Sequence, residues 1–383
     1  MSYRVFENSK TTLSKCKVCG KQSPLISENL GVCRKCIVDN PEEALSHTFK
    51  AHRLSRLKFN LPETPPKDKN GILCGMCVNN CKIPPGEKGY CGLVANKEGK
   101  LVRYAGTPKK GLLEWYYDPL PTNCVAAWVC PGCTSAGFPK YTNARGPEYG
   151  KVNLAVFYGA CSFDCLFCQN WHYRENTNKL EPILSAKKLA EKCEKRVSCI
   201  CYFGGDPSVQ MPHSLKTAEL AIEKAKKEWK GHMRICWETN GSMNWPLLEK
   251  AAQLALESGG NIKFDIKTWS EPLNIALCGV SNQRTLENFK KLGEFFEERP
   301  KPAPLVASTL LIPGYVEVEE VEKIANFIAS INPEIPYSLL AFYPRYVMND
   351  LPTTSKTLAF ESTEAAKKAG LKNVKIGNIH LLS

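Results

Sequence analysis

The spacing of its cysteines constrains this chain more than any other feature. There are 19 of them in 383 residues, and most lie two to five residues from another. Such close neighbours make poor disulfides, which demand a defined separation and side-chain direction, but good chelates. The count is odd, so complete pairing within the chain is impossible. Met1–Asn8 lacks the apolar core of a secretion signal, and no run approaches 18 uncharged apolar residues. A cytoplasmic chain with no membrane span is therefore expected, and in that compartment clustered thiols point to metal.

The chain divides by character. Residues 1–60 are rich in Lys, Asn and Ser and carry Cys16, Cys19, Cys33 and Cys36. The pattern C-x2-C…C-x2-C suits tetrahedral S4 coordination, most simply of zinc, with iron as the alternative. The metal is expected to fold a segment that otherwise has no core. A Pro-rich bridge, Leu61–Lys67, leads into residues 61–148, where Gly, Pro and Asn surround further cysteines and helical periodicity is scarce.

Residues 149–383 alternate short apolar runs with helical patterns. Strands are predicted at Asn153–Gly159, Cys199–Phe203, Met233–Trp237, Ile262–Ile266, Leu305–Ile312 and Tyr337–Phe342. Leu215, Ala218, Ile222, Ala225 and Trp229 share one face of a helix, as do Val318, Val321, Ile324, Ala325 and Ile328. Asn244-Trp245-Pro246 has the form of a capped helix start. This order predicts an α/β fold, a partial (βα)6 TIM-like barrel of parallel strands whose functional face lies at the strand C-termini. Hydrophobic residues at 43% and charged residues at 23% suit such a core. The formal charge of 51 − 38 = +13 fits either nucleic-acid binding or a solvated surface, and the lack of a dense basic run favours the latter.

Directly after the first predicted barrel strand comes Cys161-Ser162-Phe163-Asp164-Cys165-Leu166-Phe167-Cys168. Three thiolates on one loop hold three irons of a [4Fe–4S] cube and leave the fourth open to a substrate. This C-x3-C-x2-C spacing resembles that of the radical S-adenosylmethionine (radical SAM) enzymes. The resemblance implies that SAM chelates the open iron and is cleaved by one electron to a 5′-deoxyadenosyl radical. It also implies that Phe167 packs near the adenine. Gly204-Gly205-Asp206 resembles the family's "GGE" element, with Asp in place of Glu. Trp237-Glu238-Thr239-Asn240-Gly241 and Phe264-Asp265-Ile266-Lys267 are similar to the "D-T-N-G" and "D-L-K" strand ends of pyruvate formate-lyase activating enzyme. By that resemblance Glu238, Thr239, Asn240, Asp265 and Lys267 contact SAM, and Glu238, Thr239 and Asp265 share a monovalent cation. Without it, Asp265 and Lys267 read as a salt bridge on one side of a strand. Leu310–Gly314 resembles the "V-x-P-G" strand end, and Phe342–Tyr346 a terminal segment in which Tyr343 stands where relatives often have His. Lys375–Asn378 resembles the closing strand of AmmeMemoRadiSam-system enzymes.

Cys74, Cys77, Cys81 and Cys91 form a run similar to the segment before the barrel in that last group. They suit one four-thiolate centre: zinc, a single iron or an iron–sulfur cluster. Cys124, Cys130 and Cys133 make a further auxiliary site if a fourth ligand joins them. The aromatic stretch Glu114–Asp118 is expected either over the barrel mouth or packed on the barrel. Cys193, Cys199, Cys201, Cys236 and Cys278 are expected as buried thiols. The implied activity is that of a radical SAM enzyme acting on a protein or peptide, fed by a low-potential donor of the ferredoxin or flavodoxin type. An RNA-modifying radical SAM enzyme is the alternative, and a non-enzymatic iron–sulfur carrier a third reading.

Overall fold

The computed structural model describes residues 13–122, 124–229 and 231–383. The Met1–Asn8 stretch lies outside them. Six predicted strands form within one or two residues of expectation, and the resembling segment at 375–378 adds another. They are β2 (Val152–Tyr158), β3 (Val197–Gly204), β4 (Arg234–Thr239), β5 (Ile262–Asp265), β6 (Leu305–Leu311), β7 (Tyr337–Ala341) and β8 (Val374–Gly377). All are parallel, and each pairs with the next in chain order. Ahead of them β1 (Gly111–Pro119) pairs antiparallel with β2 along its length. The order β1-β2-…-β8 leaves the sheet open, a partial barrel.

Helices return the chain between strands: α2 (Tyr173–Lys179), α3 (Met211–Glu228), α4 (Trp245–Ser258), α5 (Glu271–Cys278), α6 (Gln283–Glu298), α7 (Val318–Ile331) and α8 (Lys356–Lys368). The small residues Ala218, Ala221 and Ala225 of α3 and Ala251, Ala252 and Ala255 of α4 are buried in one core with Ile200, Ile235 and Trp237. The two predicted helix faces are core faces. Asn244 is the N-cap residue of α4 and Pro246 sits in its first turn, as expected, but the Asn244 side chain makes no capping bond. Its amide donates to the Gly75 carbonyl and its oxygen accepts from Arg284 at 2.7 Å, tying the helix start to the cysteine-rich region.

Two expectations are corrected. The aromatic stretch does not lie over the mouth; it is part of β1, where Tyr116 stacks on Phe157 at 5.7 Å and Phe157 on Phe203 at 5.4 Å. Nor is the N-terminal segment coreless. Helix α1 (Pro41–Leu57) follows the four cysteines, and Ile26, Leu30, Val32 and Ile37 share a core with Leu273, Ile312 and Tyr315 of the barrel. The Tyr315 hydroxyl accepts from Ser27 N at 3.0 Å and donates to the Val32 carbonyl at 2.9 Å. No described helix is long and apolar enough to cross a membrane.

Candidate active site and metal centres

The C-terminal ends of β2 to β7 surround one open cavity of about 190 Å³. Cys161, Cys165 and Cys168 line it, as do Phe167, Gly204, Gly205, Asp206, Glu238, Asn240, Asp265 and Lys267. Residues from four strand ends, scattered over more than a hundred positions of sequence, thus meet in one place.

The cysteine loop is pinned by Asp164, whose role the sequence motif did not reveal. Its carboxylate is wholly buried and accepts from Arg174 at 2.7 Å, His52 Nδ1 at 2.9 Å and Ser55 Oγ at 3.0 Å, with Arg56 at 3.8 Å. His52, Ser55 and Arg56 belong to α1, so the N-terminal segment grips the loop that carries the three thiols. Burial opposes ionisation of Asp164, but Arg174 and His52 outweigh it and hold the carboxyl well below its ordinary range. From the other side, Asp164 N donates to the Cys278 carbonyl at 2.8 Å and Leu166 N to the Leu277 carbonyl at 3.0 Å. Cys278 is buried as expected, and it also lies on the loop's support.

Gly204 and Gly205 have no room for side chains. A Cβ on Gly204 would lie 2.2 Å from Tyr158 N, and one on Gly205 2.4 Å from the Ala160 oxygen. The N–H groups of Gly205 and Asp206 are bonded to the carbonyls of Tyr158 and Ala160. Asp206 turns its carboxylate to the end of β4, accepting from Asn240 N at 2.6 Å and Thr239 Oγ1 at 2.9 Å. Burial pushes its pKa up to about 6 against these bonds. Asn240 in turn donates to Ser162 Oγ at 2.8 Å and points the same amide at Cys161 Sγ, 3.7 Å away.

Lys267 and Asp265 form the salt bridge read from their spacing, at 2.7 Å, and the pair lines the cavity. Burial opposes the Lys267 charge, but Asp265 and Cys165 raise its pKa. Phe167 lies with its ring 6.0 Å from the Lys267 ammonium. Of the expected cation set, Glu238 and Asp265 line the same cavity and Thr239 does not. Thr239 bonds Asp206, Asp265 bonds Lys267 and Ser308, and Glu238 lies 3.7 Å from Lys263. Thr239 and Tyr343 are absent from the cavity wall: Thr239 is buried behind Asp206, and after Phe342 the chain turns Tyr343 into a separate groove with Trp171 and Tyr346.

Lys263 was not singled out from sequence. It is fully buried, and its ammonium donates to Cys124 Sγ at 3.0 Å. Cys124, Cys130 and Cys133 belong to an insert that plugs the barrel near the strand N-termini. Ser338 donates to the Val125 carbonyl at 2.8 Å, and Arg234 pairs with Glu148 at 2.6 Å. Cys199, Cys201 and Cys236 are buried thiols in β3 and β4, as expected, and Cys201 is the register partner of Cys236.

Among the described residues, Cys16, Cys19, Cys33 and Cys36 are the group of thiols whose sulfur atoms all lie within 4.8 Å of one another. Cys16 and Cys36 are 3.8 Å apart, Cys19 and Cys33 3.9 Å. Tetrahedral zinc with bonds near 2.3 Å sets its sulfurs about 3.8 Å apart, so this quartet fits a single ion. Cys74, Cys77, Cys81 and Cys91 line a second, smaller cavity.

Residues 155–328 match the radical SAM superfamily. An uncharacterized protein of Methanocaldococcus jannaschii is 26% identical over 330 residues, 82% of this chain and 83% of that protein. The isethionate sulfite-lyase activating enzyme of Oleidesulfovibrio alaskensis is 30% identical over 142 residues, 37% of this chain and 40% of that enzyme. A solved domain of pyruvate-formate lyase-activating enzyme from Bacteroides vulgatus covers 46% of this chain and 98% of its own, at 19% identity and a TM-score of 0.35. The barrel segment that carries three thiols of the expected spacing, opening on a cavity at the strand C-termini, is thus similar to the radical SAM superfamily and, over a shorter stretch, to an activating enzyme.

Proposed function

We propose that this chain binds a [4Fe–4S] cluster on Cys161, Cys165 and Cys168, with SAM beside it, and abstracts hydrogen from a protein or peptide substrate. One observation carries the proposal: the three thiols share a single cavity with the ends of β3, β4 and β5. The donor set suits the cofactors. Three thiols leave one iron of a cube without a protein ligand. When bound, cluster and SAM supply one-electron cleavage of the sulfonium and a carbon radical that takes a hydrogen atom.

The protein's own residues bind and orient. Lys267 is a fixed cation for the SAM carboxylate. The Gly204–Asp206 turn has its N–H groups engaged, so an amino group would meet it through carbonyl oxygens. Asn240 directs an amide N–H toward Cys161, a bond that stabilises thiolate charge. Phe167 offers its ring to the adenine, and Asp206 holds the β4 end in place. Zinc is the ion for Cys16, Cys19, Cys33 and Cys36, where it rigidifies the segment that holds the cysteine loop through α1.

The test is anaerobic reconstitution with SAM and a low-potential reductant. The chain is expected to release 5′-deoxyadenosine, and Cys161→Ala, Cys165→Ala and Cys168→Ala each to abolish it. Deuterium from a labelled peptide partner should appear in the 5′-deoxyadenosine. Product from the triple alanine variant would overturn the cluster assignment, and label arriving from RNA alone would overturn the substrate class.

A further inference from the structure

We propose that the free edge of β1 is where a peptide substrate docks: an extended segment adds there as a further strand, with an acidic side chain on its outer face and an apolar one on its inner face. The inference deepens the substrate class proposed above and rests on it.

Only one end of this edge is taken. The two-residue strand Ile183–Leu184 pairs antiparallel with Gly111 and Leu112, and Leu113 N donates to the Pro182 carbonyl at 3.2 Å. Beyond that point the bonds at either end of β1 fix which way its backbone faces. Gly159 N donates to the Leu112 carbonyl at 2.8 Å and Leu120 N to the Lys151 carbonyl at 3.0 Å, so the even-numbered residues face β2. The odd-numbered residues face away, because an antiparallel strand uses its two edges alternately. The N–H and C=O groups of Trp115 and Tyr117 therefore point out of the sheet, and among the described residues they have no backbone partner. Pro119 also faces out and, lacking an N–H, closes the open stretch. Exposed edges pair with other chains unless Lys or Pro blunts them, and Leu113–Tyr117 contains neither.

A strand added here sets its side chains beside those they face. A residue opposite Trp115 lies on the outer face, where Lys192 Nζ sits 5.4 Å from the Trp115 ring and Arg196 4.4 Å from the Tyr117 ring. Glu194 answers Arg196 at 3.2 Å, whereas Lys192 has no carboxylate partner among the described residues. That cation favours an acidic residue opposite Trp115. A residue opposite Tyr116 lies on the inner face, beside a ring that is 51% exposed and stacked on Phe157. An apolar side chain covers that ring.

The edge also leads to the thiols. Glu114 and Phe157 line both the groove along it, of about 620 Å³, and a further hollow of about 270 Å³. Asn170, Tyr173 and Gly204 line that hollow and the thiol cavity alike. Leu113, at the cavity end of β1, faces Tyr158, and the chain runs on from there into the cysteine loop. A peptide antiparallel to β1, in the sense already used by Ile183–Leu184, has its C-terminal end nearest the cavity. The residue that loses hydrogen therefore lies C-terminal to the paired segment.

The experiment uses the full chain, reconstituted anaerobically, and a fluorescent probe peptide of about eight residues that alternates Glu and Val. Fluorescence anisotropy reads its binding. N-methylation of the Glu residues removes the N–H groups that face β1; N-methylation of the Val residues removes those that face solvent. The first peptide should bind at least about fivefold more weakly than the second, the effect of two lost hydrogen bonds. Trp115→Pro deletes an outward N–H without breaking a bond to β2, and Trp115→Ala keeps that N–H. The proline variant should bind the unmethylated peptide at least about fivefold more weakly than the alanine variant, with SAM cleavage in the absence of peptide equal in both. A smaller ratio in either comparison, or no binding by the parent, overturns the proposal. So does a dimer of the parent that Trp115→Pro dissociates, which would give the edge to a second copy. If Trp115→Pro does not fold, the two methylated peptides decide on the parent alone. Absence of SAM cleavage in the parent would instead strike the radical SAM reading.

Discussion

Replacing Asp164 by Asn tests how the cysteine loop is held. The substitution keeps shape and removes charge. In the parent, one wholly buried carboxylate answers Arg174 at 2.7 Å, His52 at 2.9 Å and Ser55 at 3.0 Å. Arg174 and Arg56 are themselves buried; Arg174 reaches Asp164 through Nη2, and its Nε and Nη1 have no hydrogen-bond partner among the described residues. An amide would offer one oxygen and turn two donors toward this ring of donors. Removing one partner of a buried ion pair costs about 3–5 kcal/mol, since the remaining charge stays desolvated. Two lost charge-assisted bonds at about 1.5–3 kcal/mol each give about 3–6 kcal/mol, an overlapping range. Urea denaturation of the anaerobic apoprotein at pH 7 should show that deficit. The Asp164 carboxyl is depressed below its ordinary 3.8, so its contribution is present above that value and fades only as pH falls beneath it. The gap between parent and variant should therefore persist down to about pH 4. The reconstituted variant should also lose iron from the three-thiol loop. In a double-mutant cycle with Arg174→Met, the combined loss should fall short of the sum by more than about 1 kcal/mol. A variant within about 1 kcal/mol of the parent and with full iron content would refute the clamp.

Other expectations follow from the same geometry. Burial opposes ionisation of Glu148, but Arg234 brings its pKa down to about 2, so its stabilising contribution should be lost as pH falls from about 4.5 to about 2. Glu148→Gln should remove that acid-limb slope in thermal melts; an unchanged slope would argue against the pair. Asp206 is raised to about 6, so the parent's stability should fall as pH rises from about 3.8 toward 6, and Asp206→Asn should flatten that segment. Cys19→Ser with Cys33→Ser should release about one zinc while leaving iron in the barrel, measured by elemental analysis. Iron lost in parallel would mean that the N-terminal site does more than hold α1.

The strands were legible because a buried parallel strand is a near-continuous apolar run, and Leu154–Val156, Ile200–Tyr202 and Val306–Leu311 are written that way. β1 was not, because Glu114-Trp115-Tyr116-Tyr117-Asp118 mixes charge with aromatics, and only its pairing with β2 makes it a strand. Helix α1 was missed for a similar reason. Its buried face uses Ala44, Thr48, Ala51, His52, Ser55 and Arg56, a polar stripe that carries no hydrophobic period. The same residues read as solvated in isolation and as a clamp once Asp164 is opposite them.

Local sequence was enough to determine the three-thiol loop, its place after a strand and the parallel order of the barrel, because coordination spacing and strand periodicity are both properties of short segments. Tertiary structure decided the rest. It set Asp164 against α1, Lys263 beside Cys124 and the Asn79 loop on Ser162, and it brought Cys16, Cys19, Cys33 and Cys36 together at the spacing of one ion. These are contacts between positions tens to hundreds of residues apart, and burial there turns ordinary polar side chains into strong electrostatic partners that no local pattern records.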